Sequence, residues 1–305
     1  MTGLRLLGLR ILRPGPLALV EDLGRPGLAA VGVSPSGALD RGALGLANRL
    51  VGNPVDAAGL ELLLGGFAAR FESAAWFAVT GAATRVTLDG HPVDPDAAVH
   101  AGVGAELRVA PPAVGVRSYL AVRGGIAAEG VLGSRSRDTL SGLGPAPLAE
   151  GDLVPFGAEP ADPVPSVDFV PTADLGDGPV EVRAHRGPRA DWFTPAALDA
   201  FFTVEWRASA DGDRVGVRLD PPRVPAHAQR VDPAPLLLER AVRDELPSEL
   251  MVAGAVQVSP DGRPTVLLAD HPVTGGYPVI AVVAARSLDA FAQLRPGQPV
   301  HFRHA

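Results

Sequence analysis

Apolar positions in this chain come in short runs, and the clearest pair lies in the last sixth of the sequence. Residues 251–258 and 265–269 are β-rich, with Ser259-Pro260-Asp261-Gly262 between them. Asp-Gly between two such runs predicts a hairpin. The second run leads into Asp270-His271-Pro272-Val273-Thr274-Gly275-Gly276-Tyr277-Pro278. Neither Gly275 nor Gly276 has a Cβ, so the backbone there is free to take φ > 0 and to approach a ligand closely. Asp270 and Thr274 supply polar atoms beside it, and Tyr277 a ring and a hydroxyl. The stretch reads either as the wall of a site or as a plain turn between strands.

The same pattern predicts short strands over most of the chain. Residues 4–20 read as strand, turn at Pro14-Gly15-Pro16, and strand. Further strands are expected at 60–64, 70–72, 76–80, 84–88, 106–109 and 117–122. The period changes where Leu39, Ala43, Leu46, Ala47 and Leu50 recur at helical spacing. Ser36 and Asp40 bracket the start of that helix, and Gly52-Asn53-Pro54 stops it. Asn48 and Asn53 lie at or past its far end. Glu61 sits inside an apolar run. It is either a buried carboxylate that needs a partner or a solvent-facing residue of an alternating strand. Residues 132–138 form an Arg/Ser/Gly cluster whose Arg135 and Arg137 could cradle an anion, or could simply be solvated. In the second half, a strand at 180–184 precedes a helix around 191–202. Thr194 is its expected N-cap and Pro195 its first residue. Trp192, Phe193, Phe201 and Phe202 read as core. Residues 211–219 form a turn into a strand, 286–294 a short helix, and 300–302 a last strand.

Composition sharpens this picture. With 36 glycines and 31 prolines, long helices are disfavoured and many turns expected. At 305 residues and 47% hydrophobic content the chain can bury a sizeable core in one large or two medium domains. The Pro/Asp/Ala-rich stretch that follows the first half reads as a linker. It sets residues 1–156 apart as an N-terminal domain, 157–177 as the linker and 178–305 as a C-terminal domain. A net charge of −7 argues against a general nucleic-acid or anionic-membrane binder. No run approaches the roughly 20 apolar residues of a membrane span, and no secretory signal pattern is present, so the expected location is the cytoplasm.

Two absences restrict the chemistry. There is no cysteine, which removes disulfides, thiolate catalysis and Cys-ligated metals. There is also no lysine, so all 27 basic residues are arginine. A Walker-type P-loop, a Schiff base and a biotinyl-lysine are therefore not available within this sequence. The seven histidines are scattered without a metal-binding motif, and no metal site is expected. No G-x-S-x-G elbow occurs.

Several ordered blocks together resemble the biotin-dependent carboxyltransferase family, also called allophanate hydrolase subunit 2. They are VEDLGRPG at 20–27, GVSPSGALD at 32–40, ANRLVGN at 47–53, Leu60-Glu61, YLAVRGGI at 119–126 and LGSRSRD at 132–138. The second half adds DRVGVRL at 213–219, GAVQV at 254–258, TGGYP at 274–278 and AQLRPG at 292–297. The resemblance spans nearly the whole chain. It implies a mainly β fold with a few short helices, arranged as two cyclophilin-like β-barrel domains. It also implies a partner of related fold, similar to allophanate hydrolase subunit 1.

Stand-alone bacterial members of the family resemble the C subunit of the ATP-dependent 5-oxoprolinase, which with subunits A and B hydrolyses 5-oxo-L-proline to L-glutamate. Homologues of subunits A and B are therefore the implied partners, and the B homologue is the one of related fold. ATP is then needed by the complex, whichever chain binds it. Two alternatives come with the family. One is a regulatory partner of a kinase-inhibitor protein. The other is a carboxyltransferase that uses carboxybiotin and a urea-like substrate. On the first implication, Glu61, Asp270 and Arg214 are the candidate catalytic residues. Ser36, Asn48, Asn53, Gln257, Thr274, Gly275, Gly276 and Tyr277 are candidates for substrate binding, and Arg135 and Arg137 for cofactor binding. Arg214 would meet a substrate carboxylate or phosphate, so Arg214→Ala is expected to remove activity with little loss of stability.

Overall fold

Frequent glycine and proline limit the described chain to three short α-helices among twenty strands. The structure is a computed structural model and describes residues 8–167, 170, 176, 178–221 and 236–305. The first residues of the strand expected at 4–20, and most of the last ten residues of the linker expected at 157–177, lie outside these. The chain divides into two compact units: Met1–Pro26 with Pro35–Gly176, and Gly27–Ser34 with Asp177–Ala305. Residues 27–34 thus group with the C-terminal half, which a division at one linker does not anticipate.

The first unit contains eleven strands and one helix. In chain order they are β1 (Gly8–Arg13), β2 (Leu17–Glu21), α1 (Arg41–Leu50), β3 (Gly59–Leu63), β4 (Phe67–Phe71) and β5 (Ala75–Ala83). There follow β6 (Val86–Leu88), β7 (His91–Val93), β8 (Val99–Ala101), β9 (Glu106–Val109), β10 (Val114–Val122) and β11 (Leu153–Pro155). They form a six-stranded sheet in the order β11-β1-β4-β9-β6-β7 and a five-stranded sheet in the order β2-β3-β10-β5-β8. Leu9, Ile11, Phe67 and Phe71 of the first sheet and Val20, Leu60, Leu62, Phe77 and Leu120 of the second share one core. Strand alternation accounts for these residues, since each lies at every second position of its strand.

The five-stranded sheet is also covered on its other face. There α1 packs Ala43 and Leu44 against Tyr119, and Ala47 and Leu50 against Ala78 and Ala121. A sheet buried on both faces reads as a continuous apolar run, which explains why β10 is buried along almost its whole length. The helix starts as the sequence predicts, with the Asp40 side chain accepting from the Ala43 N–H at 2.8 Å.

This covering decides the position of Glu61. On β3 it alternates with Leu60 and Leu62, so it faces α1 and is buried rather than solvated. Its Oε2 accepts from the Tyr119 hydroxyl at 2.8 Å and from the Leu39 N–H at 3.0 Å. Arg117 Nε lies 3.4 Å from its Oε1. The Tyr119 hydroxyl in turn accepts from the Asp40 N–H at 2.8 Å. Burial, reinforced by the charges of Glu61 and Asp40, pushes the Tyr119 hydroxyl well above its ordinary pKa, so it stays a proton donor.

The second unit builds β12 (Val180–Arg186), α2 (Pro195–Thr203), β13 (Trp206–Ala208), β14 (Gly216–Asp220), β15 (Glu249–Leu250) and β16 (Ala255–Val258). It continues with β17 (Pro264–Leu267), β18 (Thr274–Gly275), β19 (Val279–Val283), α3 (Asp289–Ala292) and β20 (Pro299–His304). Seven strands close a barrel in the order β12-β19-β16-β17-β14-β13-β20, with the seam made by the parallel pair β12 and β20. The expected hairpin is β16–β17, with Val256 opposite Val266 and the Gly262 N–H donating to Ser259 O. Thr194 caps α2 through the Ala197 N–H, and Phe193, Phe201 and Phe202 are buried. The fold is therefore mainly β, with a closed barrel in the second unit and two sheets in the first. No helix among the described residues is long and apolar enough to cross a membrane.

Tyr119→Phe removes one group that serves both Glu61 and Asp40 while keeping the ring. It is expected to destabilise the chain by about 1–3 kcal/mol, read as a lower urea midpoint at unchanged slope. A loss under about 0.5 kcal/mol would show that the hydroxyl does not secure Glu61.

Candidate functional site

In the first unit, the loop after β10 answers the question left by the Arg/Ser/Gly cluster. The cluster does cradle an anion, and the anion is the chain's own Asp22. Asp22 Oδ1 accepts from the hydroxyls of Ser134 and Ser136, each at 2.6 Å, and from the Gly24 N–H at 2.7 Å. Its Oδ2 accepts from the Arg135 N–H at 2.6 Å. The Arg135 side chain is exposed and donates to Ala128 O, and Arg137 Nη1 donates to Gly142 O and Gly144 O. Both guanidinium groups thus donate within their own loop. Ser36, at φ 52°, donates its hydroxyl to Arg137 O. Close packing here requires glycine, because a Cβ on Gly24 would lie 2.4 Å from Pro35 O.

Asn48 and Asn53 are tied into the backbone in the same way. Asn48 Nδ2 donates to Ala57 O at 2.7 Å and Val55 O at 3.3 Å. Asn53 Nδ2 donates to Val122 O and Asn48 Oδ1, and its Oδ1 accepts from the Gly124 N–H. The two amides hold the end of α1 to the end of β10. Arg25, which motif reading alone passes over, is a buried cation in this unit. Its Nε and Nη2 donate to Val131 O and Ser136 O, and its Nη1 is buried without a hydrogen-bond partner among the described residues. The signal in the sequence was an arginine set between two glycines and a proline.

In the second unit, Arg214 and Asp270 come together as a bidentate pair. Nε donates to Oδ2 at 2.9 Å and Nη2 to Oδ1 at 3.1 Å, and the side chains are 3% and 0% exposed. The backbone reinforces the pair, with the Asp270 N–H donating to Arg214 O at 3.0 Å. One residue before Asp270, Ala269 O accepts from the Ser34 hydroxyl at 2.9 Å. His271 is also buried, and its Nδ1 lies 2.8 Å from Pro272 O. A carbonyl only accepts, so this contact places the proton on Nδ1 and leaves Nε2 as an acceptor in the neutral ring.

Gln257 lies under the glycine pair, with its Nε2 3.3 Å from Tyr277 O and 3.3 Å from Met251 Sδ. Neither Gly275 nor Gly276 lies in the left-handed region, so free choice of φ is not why glycine stands there. A Cβ at Gly275 would meet Gln257 Nε2 at 2.4 Å, a side-chain end that would have to turn aside. Thr274 and Gly275 pair with Leu250 and Glu249 in a two-stranded ribbon of β15 and β18, and Tyr277 is exposed. Among the described residues no group of three or more His, Asp or Glu side chains could hold a metal ion.

The chain belongs to the family of the carboxyltransferase domain, subdomain A and B, whose profile matches residues 31–304. It is similar to the 5-oxoprolinase C subunit of Escherichia coli (strain K12), with 37% identity over 297 residues that cover 96% of this chain and 90% of the relative. It is also similar to the urea amidolyase of Lachancea kluyveri, at 31% identity over 95% of this chain but only 16% of that protein. Among solved structures, the crystal structure of TTHA0988 superposes with a TM-score of 0.83 at 35% identity. That match covers 99% of this chain and 57% of the other.

Asp22→Asn is expected to destabilise by about 3–5 kcal/mol, because four donors then face a neutral amide. Arg135→Ala should stay within about 0.5 kcal/mol, since only its backbone N–H is used. Equal effects of the two in urea unfolding would refute the cradle. For Arg214→Ala the buried pair leads to an expected loss of stability as well as of activity. With Asp270 buried, removing the guanidinium should cost about 3–5 kcal/mol, seen as a melting temperature lower by on the order of 10 °C. A melting temperature within about 2 °C of the parent would show that the pair is not structural.

Proposed function

We propose that this chain is the C subunit of an ATP-dependent 5-oxoprolinase and acts with subunits A and B to hydrolyse 5-oxo-L-proline to L-glutamate. One observation carries the reading: the similarity to the E. coli 5-oxoprolinase C subunit runs through nearly the whole of both chains. The similarity to urea amidolyase covers a small part of a much longer protein. Carboxyl transfer needs biotin, and a chain without lysine would have to receive carboxybiotin from another carrier.

Ring opening of 5-oxoproline calls for phosphorylation of the amide oxygen and attack by water on the activated carbonyl. Both steps develop negative charge that fixed donors stabilise. In this reading Asp270 fixes the plane of the Arg214 guanidinium, which bears on a substrate carboxylate or phosphate. His271, Gln257 and the backbone around Gly275 and Gly276 line the same segment of the second unit. Glu61 serves as the anchor of α1 rather than as a base, because Tyr119, Leu39 and Arg117 already satisfy it. Arg135 and Arg137 are engaged within their own loop, so the reading places ATP on a partner chain.

The test is glutamate release from 5-oxoproline and ATP by this chain with its A and B partners, leaving out each chain in turn. Activity should vanish when this chain is omitted. Arg214→Lys keeps the charge but loses the planar fork, so it should lower kcat at least about tenfold while the complex still assembles. Full activity without this chain would overturn the proposal. Turnover only when a biotinylated carrier and urea are supplied would replace it with carboxyl transfer.

A further inference from the structure

A cavity lies in the first unit, lined by none of the candidate site residues. It has a volume of about 430 Å³, within the size range of small-molecule sites. Leu50 at the end of α1, Trp76 on β5, Asp96 and the segment with Pro163, Pro165 and Val167 form its walls. The proline wall is fixed to the unit by Arg123. Its Nη1 donates to Val51 O at 2.8 Å, and its Nη2 to Pro160 O at 2.9 Å and to Asp162 O. Arg123 is itself buried.

Asp96 is the one ionisable residue among those that line this space. It is half-buried, and burial alone pushes its carboxyl above the ordinary range. Among the described residues, no side chain or N–H gives that carboxylate a hydrogen bond or a counter-charge. The residue is also held at φ 58°, with its N–H donating to Val79 O at 2.8 Å. Glycine would make this turn without strain, and a neutral side chain would avoid the loss of hydration. The carboxylate is thus held half out of water, with no partner among the described residues to offset the loss of hydration.

We propose that this cavity binds a small organic cation, an ammonium or guanidinium group on a short apolar body. Asp96 supplies the counter-charge. Trp76 offers an aromatic wall, to which cations are attracted, and the prolines and Leu50 take the apolar body. A chain of net charge −7 draws such ligands toward its surface. The site is independent of the 5-oxoprolinase reading and uses none of its residues.

The test uses the full chain titrated with n-butylammonium chloride, with n-butanol and sodium butyrate at matched ionic strength as controls. Binding is followed by tryptophan fluorescence and by saturation-transfer NMR of the probe. Asp96→Asn keeps the shape and Asp96→Gly suits the turn, so each is expected to stay folded, with the glycine variant melting no lower than the parent. Saturable binding of n-butylammonium is expected, weaker by at least about tenfold in both variants. Trp76→Phe should lose the fluorescence response. Equal affinity for n-butanol, unchanged binding in Asp96→Asn, or no saturable binding in the millimolar range would each overturn the proposal.

Discussion

A carboxylate taken out of water must find donors already in place, and three buried carboxylates organise this structure under that constraint. Glu61 ties the five-stranded sheet to the start of α1. Asp22 ties the end of β2 to a loop more than a hundred residues later. Asp270 ties the segment after β17 to Arg214. Each joins parts of the chain far apart in sequence. The entropy of closing such loops grows only slowly with length, whereas an unpaired buried carboxylate would cost several kcal/mol. Once the sheets bury these positions, the partners become obligatory, and the loops that carry the partners are fixed as a consequence.

What could be read from the sequence was what local chemistry determines. The helix at 41–50, its Asp40 cap, the Thr194-Pro195 start of α2 and the β16–β17 hairpin all follow from spacing and turn residues within a few positions. Glu61 shows where that reasoning stops. Strand alternation places it opposite Leu60 and Leu62, but whether that side meets water depends on α1 lying across it. Both readings of Glu61 were consistent with the strand by itself.

The candidate site was less legible because its residue types are correct for binding but their partners lie within the chain. Ser134, Ser136 and the Arg135 N–H are donors suited to an anion, and they meet Asp22, just past the end of the distant strand β2. Asn48 and Asn53 are polar residues past a helix end, and they hold two backbone segments together. Gly275 looked like a position chosen for φ, and its φ is not left-handed. In each case the side chains or backbone that these residues meet come from other parts of the chain, which the local sequence does not show. Arg214 could be named from its block and Asp270 from the loop after the second apolar run, but their bidentate contact could not.

The absence of lysine has a structural counterpart. Buried Arg25, Arg117, Arg123 and Arg214 each use the planar guanidinium to reach more than one partner or to face a carboxylate side-on. An ammonium presents a compact charge that is strongly hydrated and harder to bury. Arg123 alone engages Val51, Pro160 and Asp162 carbonyls, so one side chain fastens a long connecting stretch to the end of α1. Arginine in this chain is therefore a framework residue before it is a catalytic one. A role for any of these arginines in chemistry must be separated from that framework, and the conservative Arg→Lys exchange does so better than truncation. It retains the charge that balances a buried acid and removes the fork geometry on which positioning depends.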